Sequence, residues 1–398
     1  MNFNGFNENL GTRVKTAMRK IIAENQCTGN GIMIGRGQNL CYEGYEGFCD
    51  KEKTAPIKFD TVYRMYSNTK VVTAVAAMQL WEKNCFSMSD PLYKFIPEYR
   101  HMKVVDESGR IKDAENPILI KHLFTMTSGL SYDDGHGYYD ALAAKWRTAR
   151  GNCDYWDTMR GIRELAACPL IFEPGSHYQY GLSFDVLGAL IEIWSGMKFA
   201  DYCREYIFKP LNMNSTGFGY KDIDITKLAC AYAKDENGML IPADGLDCPI
   251  IDVSVDYQNP TFASGGAGLL STIGDYFKFA RALALGGEAD GVRILGKKTV
   301  EYLHTPLLND IQQKDFASGD PCCFGESFSY GLGMRVLVKP HSETYSSVGE
   351  WGWSGAMGTW LHIDPKENMY YVYVHQKTPA EHIGYIPYLN AAIYSSME

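Results

Sequence analysis

The strongest strand signals in this 398-residue chain lie towards its two ends, and that placement constrains the fold more than any other feature. GIMIGRGQNLCYEGY (31–45) reads as two short strands joined by a glycine-rich turn, and TVYRMY (61–66) as another strand. Strand character returns at 265–271 and strengthens in YGLGMRVLV (330–338), GTWLHIDP (358–365) and MYYVYVHQ (369–376). The region between is richer in helical patterns. Strands need partners, so one sheet must be assembled from both ends of the chain, with the middle inserted. The expected fold class is α/β (α+β): an antiparallel sheet flanked by helices, with a discontinuous sheet domain (1–85 and 262–398). A mostly helical inserted domain would occupy 86–261.

Helical spacing of Leu10, Val14, Met18, Ile21 and Ile22 predicts a first helix over 7–24. VVTAVAAMQLWEKN (71–84) predicts another, rich enough in alanine to pack closely on more than one side, with Ser67 as its N-cap. Further helices are expected near 118–126, 137–149, 156–166, 183–195 and 198–207, and a closing one over 387–397. Glycines 35, 37 and 44 fit hairpin turns.

A length of 398 residues suits two subdomains, and 45% hydrophobic with 21% charged residues is globular composition. A net charge of −9 and a pI near 5.6 argue against nucleic-acid or anionic-membrane partners. No run of eighteen apolar residues occurs. The start, MNFNGFNENLGTRVKTAMRK, has no apolar stretch of the kind an export signal carries. Eleven cysteines show no zinc spacing, and reduced thiols in a cytoplasmic protein are the expectation, including the adjacent Cys322 and Cys323. The nine histidines form no HExxH, so neither metal nor cofactor is expected. His177 is assigned a structural or surface role, and Trp351 and Trp360 packing roles.

One pair stands out. Ser67 and Lys70, in YSNTK (66–70), are three apart where strand gives way to helix, so their side chains share one face. A serine hydroxyl is a weak nucleophile, and a lysine within reach can activate it. At a helix start, free backbone N–H groups also favour an oxyanion. The pattern alone is equally that of a capping serine followed by a surface lysine, since about one such pair is expected by chance. A second, Ser195-Gly-Met-Lys198, follows FDVLGALIEIW and reads as a helix end and turn.

Several further segments change the weighing. YSNTK, HLFTMTSGL (122–130), EPGSHYQY (173–180), YIFKPLNMNSTGF (206–218), SGGAGLLST (264–272) and WSGAMGTW (353–360) occur in the order seen in one superfamily. The chain resembles the serine hydrolases of the penicillin-recognising fold: class C β-lactamases, D,D-peptidases and, most closely, the family VIII carboxylesterases. The resemblance runs from about Ile32 to Gln376. It implies an acyl-enzyme reaction with Ser67 as nucleophile, Lys70 holding or relaying its proton, and Tyr180 as general base. The backbone N–H groups of Ser67 and Ala356 would form the oxyanion hole. Trp353, Ser354, Gly355 and Leu182 would line the substrate site.

Two departures from the superfamily pattern bear on substrate. Trp353-Ser354-Gly355 stands where antibiotic-recognising members carry a Lys- or His-led triplet, and an indole cannot neutralise a carboxylate. Tyr180-Gly181-Leu182 lacks the asparagine of Tyr-x-Asn. Both point to a small-molecule neutral ester as substrate, for hydrolysis or acyl transfer. A β-lactamase or D-amino-acid peptidase or amidase, and an acyl sensor that does not turn over, are the rival readings. The near-GxSxG sequence at 352–356 precedes a strand, so it is not a nucleophile elbow.

Overall fold

The computed structural model describes residues 4–24, 27–106, 108–132, 137, 157–243, 263–319, 325–342 and 344–398. Apart from Gly137, the helix expected at 137–149 falls outside these residues, as does the pair Cys322–Cys323. Seven antiparallel strands form the main sheet. Two come from the N-terminal part: β1 (Gly29–Arg36) and β2 (Asn39–Gly47). Five come from the C-terminal part: β3 (Phe328–Tyr330), β4 (Arg335–Leu337), β5 (Trp351–Ser354), β6 (Trp360–Asp364) and β7 (Met369–Val374). Their order is β3-β4-β5-β6-β7-β1-β2, so the two groups meet where Gly31 of β1 stands opposite Val374 of β7. The single strand expected over 330–338 is instead the β3–β4 hairpin turn and its arms, because Gly333 takes φ 96° and the Gly331 N–H donates to the Met334 carbonyl at 2.9 Å, closing the turn.

Both faces of the sheet are covered. On one lie helices α1 (Leu10–Ala23) and, at the far end of the chain, Ile386–Tyr394, whose side chains pack with Ile32, Ile34, Trp360, Tyr371 and Tyr373. On the other, Met33, Leu361, Val372 and Val374 join the main core. This is why MYYVYV in β7 is buried at every position and shows no polar alternation. A buried polar network ties the first face together. Arg335 makes a bidentate pair with Glu350 at 2.8 and 2.8 Å, His362 lies 3.1 Å from Glu350, and the Tyr394 hydroxyl donates to Asp364 at 2.8 Å.

Helix α2 (Thr69–Glu82) is the centre of the main core, and every residue from Thr69 to Leu80 is buried. Its small side chains let α3 (Ser183–Ser195) pack closely beside it. The core around α2 is continuous: it includes Leu123, Leu187 and Phe199 from the inserted region and Tyr276, Leu361 and Val372 from the sheet region. The inserted region also holds short strand pairs, Lys103–Val105 with Ile111–Asp113 and Tyr232–Lys234 with Leu240–Pro242. Gly196, in the left-handed conformation at φ 70°, ends α3, so Ser195 and Lys198 belong to a helix end as their sequence suggested.

Candidate active site

The strand expected over 61–66 is shorter than its apolar pattern, spanning Val62–Arg64 paired with Leu270–Thr272. Met65 extends the pairing by donating to the Leu269 carbonyl at 2.9 Å. Tyr66 then takes a left-handed backbone at φ 44°, unusual for a buried aromatic, and starts a 3-10 turn over Tyr66–Asn68 that feeds α2. Ser67 is therefore not the N-cap. That position is Asn68, whose buried amide donates to Thr359 Oγ1 at 2.9 Å instead of capping the helix. The Ser67 hydroxyl lies 3.2 Å from Lys70 Nζ, as one face of a first helical turn allows.

Lys70 is wholly buried, and its amine donates to three oxygens: Ser67 Oγ (3.2 Å), the Tyr132 hydroxyl (3.2 Å) and the Gly266 carbonyl (2.7 Å). It also stands 4.5 Å from the centre of the Tyr180 ring and 5.8 Å from that of Tyr132. The lysine is thus held between two phenols, with the serine at one of its three N–H positions. The Gly266 carbonyl is itself fixed from behind. Asp185 of α3, 1% exposed, accepts from Ser264 Oγ at 2.5 Å and from the Gly266 N–H at 3.3 Å. Burial pushes the Asp185 carboxyl up, while the Ser264 bond and the Lys70 charge pull it down. A Cβ at Gly266 would lie 2.6 Å from Asp185 Oδ2, so only glycine brings this carbonyl to the lysine without displacing the carboxylate.

Tyr180 receives a hydrogen bond from Trp353 Nε1 at 3.1 Å, with the rings 5.5 Å apart. Trp353 is 2% exposed and sits edge-on to Tyr330 at 5.2 Å. The indole is therefore a donor to the tyrosine as well as an apolar body. The turn after β5 lies against the turn bearing Ser67. Gly355 approaches so closely that a Cβ would be 2.4 Å from the Met65 carbonyl, and Thr359 Oγ1 donates to that carbonyl at 2.9 Å. Ala356 is exposed at the tip of this turn. Ser354 pairs with Trp360, so strand alternation turns it to the opposite face from Trp353.

Leu182 departs from expectation: it is 1% exposed and packed in the core ahead of α3, not on a wall that a substrate could reach. His177 pairs with Asp315 at 2.9 Å on the surface. Trp351 stacks on His304 at 4.8 Å, and Trp360 lies under the Arg335 guanidinium. Tyr132, Gly266 and Asp185 were not anticipated. Tyr132 follows HLFTMTSGL by two residues and Gly266 lies inside SGGAGLLST, so the signal was present in segments whose individual residues had no assigned task.

A model of the beta-lactamase family matches residues 14–392. Esterase EstB of Burkholderia gladioli is 27% identical over 369 residues, covering 89% of this chain and 87% of that one. Monacolin J acid methylbutanoyltransferase of Aspergillus terreus is 25% identical over 388 residues, covering 89% and 88%. Among solved structures, EstCE1, described as a hydrolase with promiscuous acyltransferase activity, superposes with a TM-score of 0.78. That likeness covers 97% of this chain and 99% of the other at 22% identity, and it is one of fold. In the described residues no helix is long and apolar enough to cross a membrane. The chain belongs to the beta-lactamase family and is a serine hydrolase built on that family's fold.

Proposed function

We propose that the protein cleaves small-molecule carboxylic esters through an acyl-enzyme on Ser67, passing the acyl group to water or to an alcohol. The observation that carries this reading is the buried Lys70 amine bonded to Ser67 Oγ between two tyrosines. Ser67 Oγ attacks the acyl carbon while Tyr180, as a phenolate favoured by the Lys70 cation beside it, takes up the serine proton. The Trp353 N–H strengthens as a partner when Tyr180 carries negative charge. The N–H groups of Ser67 and Ala356, on turns that touch through Gly355 and Met65, receive the oxyanion. The alcohol leaves with the proton from Tyr180. A water or a second alcohol then loses its proton to Tyr180 as it attacks the acyl carbon, and Tyr180 returns that proton to Ser67 Oγ as the acyl–serine bond breaks.

Trp353 in place of a cation supports neutral esters over carboxylate-bearing lactams and peptides. The names of the relatives, an esterase and an acyltransferase, support the same chemistry with either acceptor. The test is hydrolysis of p-nitrophenyl acetate and butyrate by wild type and Ser67→Ala, with nitrocefin alongside and a primary alcohol added to divert the acyl group. The expected result is ester turnover lost in the variant and little nitrocefin cleavage. Faster nitrocefin than ester turnover, or activity surviving in Ser67→Ala, would overturn the proposal.

A further inference from the structure

The residue proposed as general base sits on a stretch with little regular structure. Between Glu173 and Tyr180 there is neither helix nor strand, so these backbone groups must find partners elsewhere. One side supplies them from the loop after residues 120–124: Gly175 N–H donates to the Thr127 carbonyl at 2.8 Å and Gln179 N–H to that of Met126 at 2.9 Å. The other side is the helix Asp310–Ala317. Its Gln312 amide donates to the Gly175 carbonyl at 2.8 Å. Its Asp315 Oδ2 accepts the Tyr178 N–H at 3.0 Å and lies 2.9 Å from His177 Nδ1. Its Phe316 meets the Tyr178 ring edge-on at 5.2 Å.

The same helix also reaches the other end of the Tyr180–Trp353 hydrogen bond. Phe316 packs 5.8 Å from Tyr330, and Tyr330 packs edge-on against Trp353 at 5.2 Å. Tyr178 closes the circuit at 5.4 Å from Tyr330. One short helix therefore fixes the backbone two residues before Tyr180 and, through Phe316 and Tyr330, the indole that donates to it. None of its residues contacts Ser67 or Lys70 in the interactions described above. The helix is itself well formed, since Asn309 and Gln312 make a reciprocal capping box at its start.

We propose that the helix Asp310–Ala317 is a positioning clamp for the Tyr180–Trp353 pair, and that Asp315 is the positioning residue that aims Tyr180. This rests on Tyr180 acting in the acyl-transfer reaction. A single carboxylate oxygen shared by the Tyr178 N–H and His177 sets the direction in which the chain enters Tyr180. Loss of that oxygen frees the chain at Tyr178, leaving the Gln312, Met126 and Thr127 bonds in place. The resulting displacement is a fraction of an ångström to an ångström, enough to spoil a proton transfer.

The test compares Asp315→Ala and Asp315→Leu, which remove the acceptor, with Asp315→Asn, which keeps an oxygen for the Tyr178 N–H. Two readouts are taken on the full-length protein. One is kcat and KM for p-nitrophenyl butyrate. The other is the Trp353 indole N–H resonance in protein labelled with 15N-tryptophan, assigned by its absence in Trp353→Phe. The Ala and Leu variants are expected to lose about tenfold to a hundredfold in kcat with KM little changed. They are also expected to move the indole resonance towards that of an unbonded N–H, whereas Asp315→Asn stays close to wild type in both. An unchanged kcat or an unmoved resonance in the acceptor-free variants overturns the clamp. Should wild type turn over no ester, the reaction proposed above fails, and the indole resonance alone then decides the clamp, in the same two directions.

Discussion

The bond from Trp353 Nε1 to the Tyr180 hydroxyl gives the sharpest test of the proposed mechanism, through Trp353→Phe. Phenylalanine keeps a ring for Tyr330 to pack against and removes one donor, at 3.1 Å from its acceptor and 2% exposed. A hydrogen bond to a neutral acceptor contributes about 0.5–1.5 kcal/mol, and one to a charged acceptor about 1.5–3 kcal/mol. Each 1.4 kcal/mol, roughly, is tenfold in rate. If Tyr180 must be a phenolate in order to take the serine proton, the lost donor makes that state rarer and kcat should fall by about 10- to 150-fold. If it stays neutral throughout, the fall should be about two- to tenfold. Stopped-flow acylation with p-nitrophenyl butyrate reads the first step alone, and a thermal melt accounts for lost packing. An acylation rate within about twofold of wild type, in a variant that melts normally, would refute the idea that Trp353 stabilises charge on Tyr180.

Three further outcomes are expected. Tyr132→Phe removes one of three acceptors of the Lys70 amine, and the acylation rate should drop about tenfold, less than the ~10²–10⁴-fold expected for Tyr180→Phe. A larger loss for Tyr132→Phe would exchange the roles of the two phenols. Glu350→Gln leaves the Arg335 guanidinium, 2% exposed, without its counter-charge, and should cost about 3–5 kcal/mol of stability in urea unfolding. Activity at low temperature should survive, because Arg335 and Trp353 lie on opposite faces of the sheet. Burial, helped by Lys121, pulls His122 from 6.5 down to about 4, and its Nδ1 must keep a lone pair to accept the Leu119 N–H at 3.2 Å. Its contribution is complete above pH 6.5 and is lost as pH falls from 6.5 to 4, because the unfolded chain binds the proton first. His122→Gln keeps an acceptor that does not titrate, so its melting temperature should fall less than that of wild type across this window; parallel curves would show that His122 takes no part.

Much of this site could be read from spacing, because Ser67 and Lys70 are local neighbours and a helix fixes how they face each other. The sheet was legible for a similar reason: β7 carries five strand-forming residues in a row after Met369, and β1 and β2 are separated by a tight turn. What spacing could not give were contacts across long separations. Gly266 reaches Lys70 over 196 positions and Trp353 reaches Tyr180 over 173, and nothing in the local pattern marks either bond. Leu182 was assigned to a pocket wall from its place in a motif, yet an apolar side chain at the start of a buried helix is drawn into the core. Hydroxyl residues favour the cap position, which is why the sequence points to Ser67, and the left-handed Tyr66 moves the cap on by one residue to Asn68.

The pairing of β1 with β7 has a consequence for how the protein is made. Ile32 waits for Tyr373, so during synthesis the sheet stays open at its middle until β7 has left the ribosome. Trp353 and the Gly355–Thr359 turn are also supplied late, so Ser67 and Lys70 emerge early into a site that cannot yet work. Residues 5–7 and 396–398 are joined by backbone bonds, Asn7 N–H to the Ser396 carbonyl at 2.8 Å and Glu398 N–H to that of Gly5 at 3.0 Å. In a variant of residues 5–398, a short linker could join Gly5 to Glu398, and new ends opened in an exposed turn such as that at Gly238 would let β7 be translated before β1. The order in which the active site is assembled on the ribosome would then be reversed without altering one residue of it.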